Sequence, residues 1–338
     1  MAGIIQDSFG RVLDYVRISV TDRCNFRCVY CMPADGIEWI PHELILSYED
    51  LLFLCRILTD LGVRKVRFTG GEPFVRKGFV PFLESVKEAH PHLRIAVTTN
   101  GSLLEKWAET IARLGLDSLN VSLDTLEPAK FLETTRTGEL ERVLRGIDAA
   151  RQYGGIPLKL NSVVMRHFNF DEIPSLVGFA AEKGATLRFI EFMPLDKDVW
   201  SQSQFVPAKE ILSRLPDPAL WRSCPSRDNR SEICGPSRYF RNSSTGQMVG
   251  IISAVSDHFC HLCNRLRVTS TGVMRPCLFG NFGVPLLEAL RSKDAGALRE
   301  GILKAVSRKP RRGETGIPSA EEGATSLREE RHMSQIGG

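Results

Sequence analysis

The feature that most constrains the fold is a regular alternation, between Asp14 and Phe192, of short apolar runs with longer amphipathic stretches. The short runs are rich in β-branched residues and the stretches between them have helical periodicity, which is typical of parallel strands joined by helices. The predicted strands are DYVRIS, KVRFT, RIAVTT, SLNVSL, LKLNSVVM and LRFIEF. Six βα repeats predict an α/β fold in which a parallel sheet curls into a partial (β/α)6 barrel.

The first predicted helix has clear start and stop signals. Ser47 is its N-cap, Glu49 and Asp50 place negative charge in its first turn, and Gly62 terminates it. The positions predicted to face inward are Leu51, Leu54, Leu58 and Leu61. Cys55 shares this spacing, so we expect it to be a small buried hydrophobic residue.

Beyond Pro194 the alternation fades, and we predict two parts: a barrel over residues 1–220 and a C-terminal domain over residues 221–338. Residues 213–240 are polar and rich in proline, which predicts an irregular stretch. Two runs with strand character, QMVGIIS and LRVTS, follow it. The chain ends in a basic and then polar segment that we expect to be an exposed tail.

Composition excludes some classes of function. With 338 residues, 43% of them hydrophobic, the chain can bury a large core. It has no apolar run near the roughly 20 residues that span a membrane, and its start, MAGIIQDSFGR, has no signal or transit pattern. We therefore expect a cytoplasmic protein with no membrane partner. A net charge of +4 is too small to predict nucleic-acid binding, although cations gathered at one site could hold a small polyanion.

Nine cysteines in a chain of this kind favour metal binding or catalysis over disulfides, because the cytosol keeps thiols reduced. Six of them fall into two groups. The first cysteine set is Cys24, Cys28 and Cys31, and the second cysteine set is Cys260, Cys263 and Cys277. Cys224 and Cys234 stand apart, and we assign them no role.

Each set offers three thiolates, and this number limits what it can bind. A zinc site normally takes four ligands, but His42, the next candidate after the first set, is eleven residues beyond Cys31. A 4Fe–4S cluster held by three cysteines keeps one iron open for a small molecule, so we prefer such a cluster at both sets. A zinc site stays the alternative, completed at the second set by His258 or His261.

The first cysteine set directly follows the first predicted strand, and three further polar motifs follow the next three strands. These motifs are GGEP, TNG and LDT. In parallel barrels the chemistry lies at the C-terminal ends of the strands. The sequence therefore predicts a site at that end of the barrel.

Seven cations recur on predicted strands in both parts of the chain. Lys65 and Arg67 alternate along one strand and so share a face, as do Arg265 and Arg267. One charge on a strand usually faces solvent, but a set of charges inside a barrel needs partners. A triphosphate would be such a partner, although no GxxxxGKS/T run is present. The seven cations are Arg17, Lys65, Arg67, Lys159, Arg188, Arg265 and Arg267.

These motifs together resemble the radical S-adenosylmethionine (SAM) superfamily, whose signature CxxxCxxC stands here as CNFRCVYC. From about Arg11 to Gly338 the chain resembles one branch, the MoaA family of GTP 3′,8-cyclases in molybdenum-cofactor biosynthesis. The resemblance is carried by DYVRISVTDRCNFRCVYCMP, VRFTGGEPFVR, TTNG, SLDT, LRFIEFMP, FCHLCNRLRVTSTG with Cys277, and the terminal IGG.

The resemblance implies a barrel of the radical SAM type with a C-terminal extension that carries an auxiliary iron–sulfur cluster. It implies SAM and two 4Fe–4S clusters, each with three cysteine ligands from one set, and GTP held by the seven cations. The implied SAM-pocket residues are Tyr30, Gly71, Glu72, Thr98, Ser122 and Met193. The implied catalytic residues are Arg17, Arg265, Arg267, Gly337 and Gly338, the two glycines on a tail that enters the site.

The implied reaction makes 3′,8-cyclo-7,8-dihydro-GTP, the first step of the pathway. A 5′-deoxyadenosyl radical abstracts the hydrogen at ribose C3′, and C3′ then bonds to guanine C8. The implied partners are an electron donor such as flavodoxin or ferredoxin, the next enzyme, cyclic pyranopterin monophosphate synthase, and a second copy in a homodimer. Two alternatives stay open: a radical SAM peptide-modifying maturase, and a non-enzymatic iron–sulfur or zinc protein.

Overall fold

The computed structural model describes residues 3–195, 199–224 and 235–313, and places twelve strands of these residues in one sheet. The strands are β1 (Tyr15–Ser19), β2 (Lys65–Thr69), β3 (Arg94–Thr99), β4 (Ser118–Ser122), β5 (Leu158–Val164), β6 (Thr186–Glu191), β7 (Trp221–Cys224), β8 (Arg238–Asn242), β9 (Met248–Ile252), β10 (Arg265–Val268), β11 (Val273–Arg275) and β12 (Val284–Pro285). The α-helices in these ranges are α1 (Tyr48–Asp60), α2 (Phe79–Ala89), α3 (Leu104–Leu114), α4 (Pro128–Thr135), α5 (Leu140–Tyr153), α6 (Ile173–Glu182), α7 (Ala208–Ser213), α8 (Leu287–Arg291) and α9 (Ala295–Ser307). None of these helices has the length and apolar content needed to cross a bilayer.

Strands β1 to β6 are neighbours in chain order and run parallel to one another. At least one helix lies between each strand and the next along the chain. The predicted α/β partial barrel is therefore confirmed. All six predicted strands are present, each within one residue of its predicted ends.

Strands from the C-terminal part extend both edges of this barrel. On one edge β10 pairs in parallel with β1, with Arg265 opposite Tyr15. On the other edge β9 pairs in parallel with β6, with Val249 opposite Leu187. Antiparallel strands complete each side, so the order is β12-β11-β10-β1-β2-β3-β4-β5-β6-β9-β8-β7. The sheet thus crosses the predicted boundary at residue 220, and the division into 1–220 and 221–338 stays a prediction.

The expectation of an irregular stretch over residues 213–240 is wrong where the structure describes it. The stretch contains β7 and the start of β8, which pair in antiparallel register. Strand β7 lies at the sheet edge, and in it Trp221 is buried while Arg222 and Ser223 are exposed. A strand at a sheet edge with one face exposed to solvent needs few apolar residues. The sequence of β7 therefore has no apolar pattern that predicts a strand.

Helix α1 begins and ends as predicted. The Ser47 hydroxyl accepts a hydrogen bond from the Asp50 N–H, and the Asp50 carboxylate accepts one from the Ser47 N–H, each at 3.1 Å. This reciprocal pair is a capping box. Gly62, just past the end, has a φ of +86°, which favours glycine. Leu51, Leu54, Cys55 and Leu58 are fully buried, whereas Leu61 is half-buried.

Each strand of the barrel sends alternate residues to opposite faces, and in this chain the polar residues fall on the interior face. In β2, Val66 and Phe68 are fully buried in the core outside the barrel, where the Phe68 ring lies 5.1 Å from the Phe82 ring of α2. The residues that alternate with them, Lys65 and Arg67, line the interior instead. The same pleat therefore builds the helix-packed core and the cation-lined interior.

Candidate active site

A cavity of about 300 Å³ runs through the barrel interior to the C-terminal ends of the parallel strands. All seven predicted cations line it, on β1, β2, β5, β6 and β10. Both cysteine sets line it as well, the first from the loop after β1 and the second from the segments around β10 and β11. The fold thus gathers around one space the thiols and cations that the sequence singled out.

Three guanidinium groups stand on adjacent strands. Arg17 is in register with Arg67 on one side and with Arg267 on the other. Burial, and then repulsion by Arg267, lower the pKa of Arg17 well below its usual value. Burial and the neighbouring Arg265 lower the pKa of Arg267 to about 10. Buried like charges at this density destabilise one another, so the cavity is suited to a polyanion.

Tyr15 lies among these cations. Its hydroxyl accepts a hydrogen bond from Nε of Arg67 at 2.6 Å, and Nζ of Lys65 lies 5.4 Å from its ring centre. Burial alone would raise the pKa of Tyr15, but Arg67, Arg17 and Lys65 outweigh burial and lower it to about 7. We did not predict this residue. Its alternation with Arg17 along β1, which puts both on the interior face, is the signal that could have found it.

Neutral side chains hold two of the cations in place. Besides Tyr15, Arg67 donates hydrogen bonds to the hydroxyls of Thr98 at 3.2 Å and Ser118 at 3.3 Å. Arg188 donates from Nε (2.9 Å) and Nη2 (2.7 Å) to Oδ1 of Asn161. These neutral acceptors fix the direction of each guanidinium without cancelling its charge, whereas Tyr15 can also act as a charged partner of Arg67.

The loop after β1 brings the thiols of the first cysteine set to the cavity. The loop turns at Cys28, whose carbonyl accepts a hydrogen bond from the Cys31 N–H at 2.9 Å. Burial, and then the charge of Glu72, raise the pKa of Cys24 to about 12, and burial raises that of Cys28 well above its ordinary value. Thiols in such surroundings become thiolates when a metal compensates their charge.

The glycines of GGEP are required by a close approach between two backbone segments. A Cβ on Gly71 would lie 2.3 Å from the Arg23 carbonyl oxygen, and one on Gly70 would lie 2.6 Å from that of Thr21. The Gly71 N–H donates to the Thr21 carbonyl at 2.8 Å. Only glycine lets the loop after β2 pack onto the loop that carries the first cysteine set.

Glu72, which we expect in the SAM pocket, is not among the residues that line the cavity. It is fully buried beneath the cavity wall. Its carboxylate accepts hydrogen bonds from the Phe74 N–H (3.1 Å), the Thr99 hydroxyl (2.8 Å) and the Asn100 N–H (2.6 Å). Burial raises the pKa of Glu72 to about 7. The side chain therefore joins the loops after β2 and β3, because buried backbone N–H groups there need an acceptor.

The other five residues assigned to the SAM pocket do line the cavity. They are Tyr30, Gly71, Thr98, Ser122 and Met193. The Tyr30 hydroxyl donates to the carboxylate of Asp124 at 2.5 Å, and that carboxylate also accepts the Val163 N–H at 2.8 Å. Burial raises the pKa of Asp124 to about 6. We did not predict a role for Asp124, although its motif LDT at the end of β4 marked the position.

The second cysteine set has cationic surroundings. Nη2 of Arg265 lies 3.7 Å and Nζ of Lys309 lies 3.5 Å from Sγ of Cys263. Burial by itself would raise the pKa of Cys263, but Arg265 and Lys309 outweigh it and lower this pKa to about 6. The Gly313 N–H donates to Sγ of Cys260 at 3.4 Å. Lys309 was not predicted, because nothing near it in the sequence marks it as a neighbour of cysteines.

The donors around the two sets suit iron–sulfur clusters. N–H groups point at sulfur in both, including that of Phe26 at 3.4 Å from Cys24 Sγ in the first, and such hydrogen bonds are typical around cluster thiolates. Across the described residues, no three His, Cys, Asp or Glu side chains are grouped for a single metal ion. The described residues also give Oδ1 of Asn120, buried in the cavity wall, no hydrogen-bond partner, as expected where a ligand supplies one.

Three residues named in the sequence analysis lie outside the described residues. They are Gly337 and Gly338, which we predict to be catalytic, and Cys234, to which we assign no role. Cys224, the other cysteine without a predicted role, ends β7 and is half-buried.

Comparison with known proteins identifies the superfamily and the C-terminal part. Residues 18–180 match the family model described as Radical SAM superfamily, and residues 185–315 match that described as Molybdenum Cofactor Synthesis C. The SuiB structure from Streptococcus suis bound to S-adenosylmethionine superimposes with a TM-score of 0.59 over 87% of this chain and 68% of that chain, at 15% identity. The anSMEcpe structure with bound AdoMet gives a TM-score of 0.56 over 85% of this chain and 82% of that chain, at 17% identity. At these identities the likeness concerns the fold alone.

Curated relatives are similar over almost the whole chain. The GTP 3′,8-cyclase of Geobacter sulfurreducens is 44% identical, covering 98% of this chain and 99% of its own length. Those of Thermodesulfovibrio yellowstonii and Pelotomaculum thermopropionicum are 42% and 39% identical, covering 90% and 99% of this chain and 94% and 100% of their own lengths. The chain therefore belongs to the GTP 3′,8-cyclase family of the radical SAM superfamily.

Proposed function

We propose that the chain converts GTP to 3′,8-cyclo-7,8-dihydro-GTP, the activity for which its curated relatives are named. One observation carries the proposal: a continuous cavity is lined by the first cysteine set, by all seven cations and by the second cysteine set. A radical source and a polyanionic substrate can therefore meet in one enclosed space.

Membership of the radical SAM superfamily implies a 4Fe–4S cluster and SAM. We assign this cluster to the first cysteine set, and SAM to the five cavity-lining pocket residues, with Glu72 supporting their loops. When bound, these groups supply a 5′-deoxyadenosyl radical. A second 4Fe–4S cluster is part of the proposal: the second cysteine set would hold it, and its three thiolates would leave one iron able to bind the guanine. Its support is the three sulfur donors and the N–H groups directed at them.

The seven cations bind and orient the triphosphate. Arginines offer paired N–H donors that match phosphate oxygens, and the register of Arg17, Arg67 and Arg267 puts three such groups side by side. A substrate fixed at its phosphates presents its ribose to the radical in one geometry, which is the main contribution a protein makes to such chemistry. We propose catalytic roles here for Arg17, Arg265 and Arg267, and for Gly337 and Gly338 of the tail.

The reaction balances with electrons from outside the protein. In the proposed reaction ribose C3′ would give its hydrogen atom to the radical that SAM supplies, a bond would form between C3′ and C8, and one electron and one proton would complete the dihydroguanine product. Cleavage of SAM takes a second electron. Flavodoxin or ferredoxin would serve as donor, and the product would pass to cyclic pyranopterin monophosphate synthase. A homodimer remains a proposal.

The decisive experiment is anaerobic reconstitution with iron and sulfide, followed by incubation with SAM, dithionite and GTP. We expect GTP to increase the yield of 5′-deoxyadenosine and to give a cyclised product that does not form without GTP, both measured by mass spectrometry. Cys28→Ser is the matched control and should form neither. Deoxyadenosine without any GTP-derived product would contradict the proposed substrate, and zinc at both cysteine sets would contradict the radical chemistry.

A further inference from the structure

Lys309, which the proposed reaction does not use, joins two segments that carry the second cysteine set. It lies just past the end of α9, and its side chain is 4% exposed. Its Nζ donates hydrogen bonds to the carbonyls of Arg265 and Pro276, each at 2.7 Å, and lies 3.5 Å from Sγ of Cys263. Pro276 directly precedes Cys277. One buried ammonium group therefore joins the segment that follows Cys263 to the segment that precedes Cys277.

An anchor from the N-terminal segment fixes the position of Lys309. Arg11 donates from Nη1 to the Cys260 carbonyl and from Nη2 to the Pro310 carbonyl, both at 2.7 Å. Arg11 is itself held by a buried ion pair with Asp7 at 2.6 Å. The residue after Lys309 is thus tied to the first cysteine of the second set. The backbone beside Lys309 is therefore fixed, and its two carbonyl acceptors hold the ammonium next to Sγ of Cys263.

The surroundings of the first cysteine set have the opposite charge. The donors that reach Sγ of Cys24 are neutral: the Phe26 N–H at 3.4 Å and the Asn100 amide at 3.9 Å. Apart from the cysteines themselves, the ionisable side chains that raise the pKa of Cys24 and Cys28 are the buried acids Glu72 and Asp124. Negative charge beside the first set disfavours the addition of an electron to a cluster there. Positive charge beside the second set favours it.

We infer that Lys309 is a positioning residue whose buried charge raises the reduction potential of the second cluster above that of the first. This inference rests on the proposed function, since it requires a cluster at each cysteine set. A reduced cluster carries one more negative charge, so a cation and N–H donors at its sulfurs stabilise the reduced form. An electron held in this enzyme would then reside near the guanine, which must be reduced after cyclisation.

The test is a potentiometric titration of the reconstituted enzyme with both clusters, followed by electron paramagnetic resonance. Addition of SAM identifies the signal of the first cluster. In Lys309→Met and Lys309→Gln, we expect the reduced-to-oxidised ratio of the second cluster at a fixed potential to fall about tenfold, equal to about 59 mV for one electron. Lys309→Arg should keep the parent ratio, and so should Lys304→Met on the exposed side of α9. The first cluster should not shift.

The Gln variant keeps the test decisive. Its amide can still donate to a carbonyl without charge, so it separates charge from the loss of the tie even where Lys309→Met does not bind a second cluster. An unshifted second cluster in Lys309→Gln would overturn the inference, as would equal shifts of both clusters. A parent enzyme without a second cluster would overturn the inference and the proposed cofactor together. A parent enzyme with both clusters but no GTP product would count against the proposed function, while the potential shift could still be measured.

Discussion

The hydroxyl of Tyr15 accepts a hydrogen bond from Nε of Arg67 across 2.6 Å, inside a barrel lined with cations. The pKa of Tyr15 is lowered from 10.0 to about 7, so its phenolate stabilises the ligand-free protein. This stabilisation is complete above pH 10 and is lost as the pH falls through about 7. When no GTP is bound, the phenolate offsets the positive charge of the interior cations, as a phosphate oxygen would when GTP is bound.

We therefore expect GTP binding to be coupled to proton uptake by Tyr15. A triphosphate replaces the phenolate as counter-ion of Arg17, Lys65 and Arg67, so the Kd for GTP should rise by up to about tenfold per pH unit between about pH 7 and 9. Tyr15→Phe should flatten this dependence. Equilibrium titrations at several pH values measure it, with guanosine as the control without phosphates. The same slope in the Phe variant would show that another group takes up the proton.

Loss of either interior arginine of β10 should weaken GTP binding without preventing the cleavage of SAM. Arg265→Ala or Arg267→Ala removes charge-assisted hydrogen bonds worth roughly 1.5–3 kcal/mol each, so we expect the Kd for GTP to rise tenfold or more. Cleavage of SAM without GTP should continue in both. Arg308→Ala, on the exposed surface, is the control. Unchanged GTP affinity in both β10 variants would reject the phosphate site.

Gly71→Ala should damage the SAM loop because the added Cβ would meet the Arg23 carbonyl at 2.3 Å. We expect a lower melting temperature and weaker SAM binding. Gly178 in α6 is the matched control, since a Cβ there meets nothing within 4 Å. Gly178→Ala should be neutral or stabilise the protein by about 0.5–1 kcal/mol. Calorimetry measures the melting temperature and the SAM affinity of both variants. Normal SAM affinity in Gly71→Ala would show that the loop can shift.

Removal of Gly337 and Gly338 should abolish cyclisation while both clusters remain. Two residues without side chains can enter a narrow channel, and the proposal gives them a role there. Iron content and product formation, measured on the same truncated protein, separate loss of cofactor from loss of catalysis. Full activity after truncation would show that the tail is an ordinary terminus.

The barrel and its cations were predictable because they depend on local periodicity. In KVRFT the alternation alone places Lys65 and Arg67 on one face and Val66 and Phe68 on the other, and the structure gives the same division. The first cysteine set and the glycines of GGEP were predictable for a related reason: each follows a predicted strand, and the ends of parallel strands meet.

The contacts that we did not predict join residues that are distant in sequence. Lys309 reaches Sγ of Cys263 across 46 positions, and Glu72 supports Asn100 across 28. No periodic pattern records such a pairing, and a lysine after a helix resembles any solvated charge. Strand β7 was missed for another reason, since an edge strand can be polar.

The pairing of β1 with β10 has a consequence for how the chain is made. The side-chain amide of Asn264, just before β10, donates a hydrogen bond to the carboxylate of Asp14, just before β1. The two residues are 250 positions apart in sequence. During synthesis the ribosome must therefore deliver most of the polypeptide before one edge of β1 can find its neighbour. Until then that edge offers unpaired N–H and C=O groups to any passing strand. The nascent enzyme is consequently expected to depend on chaperones during this interval.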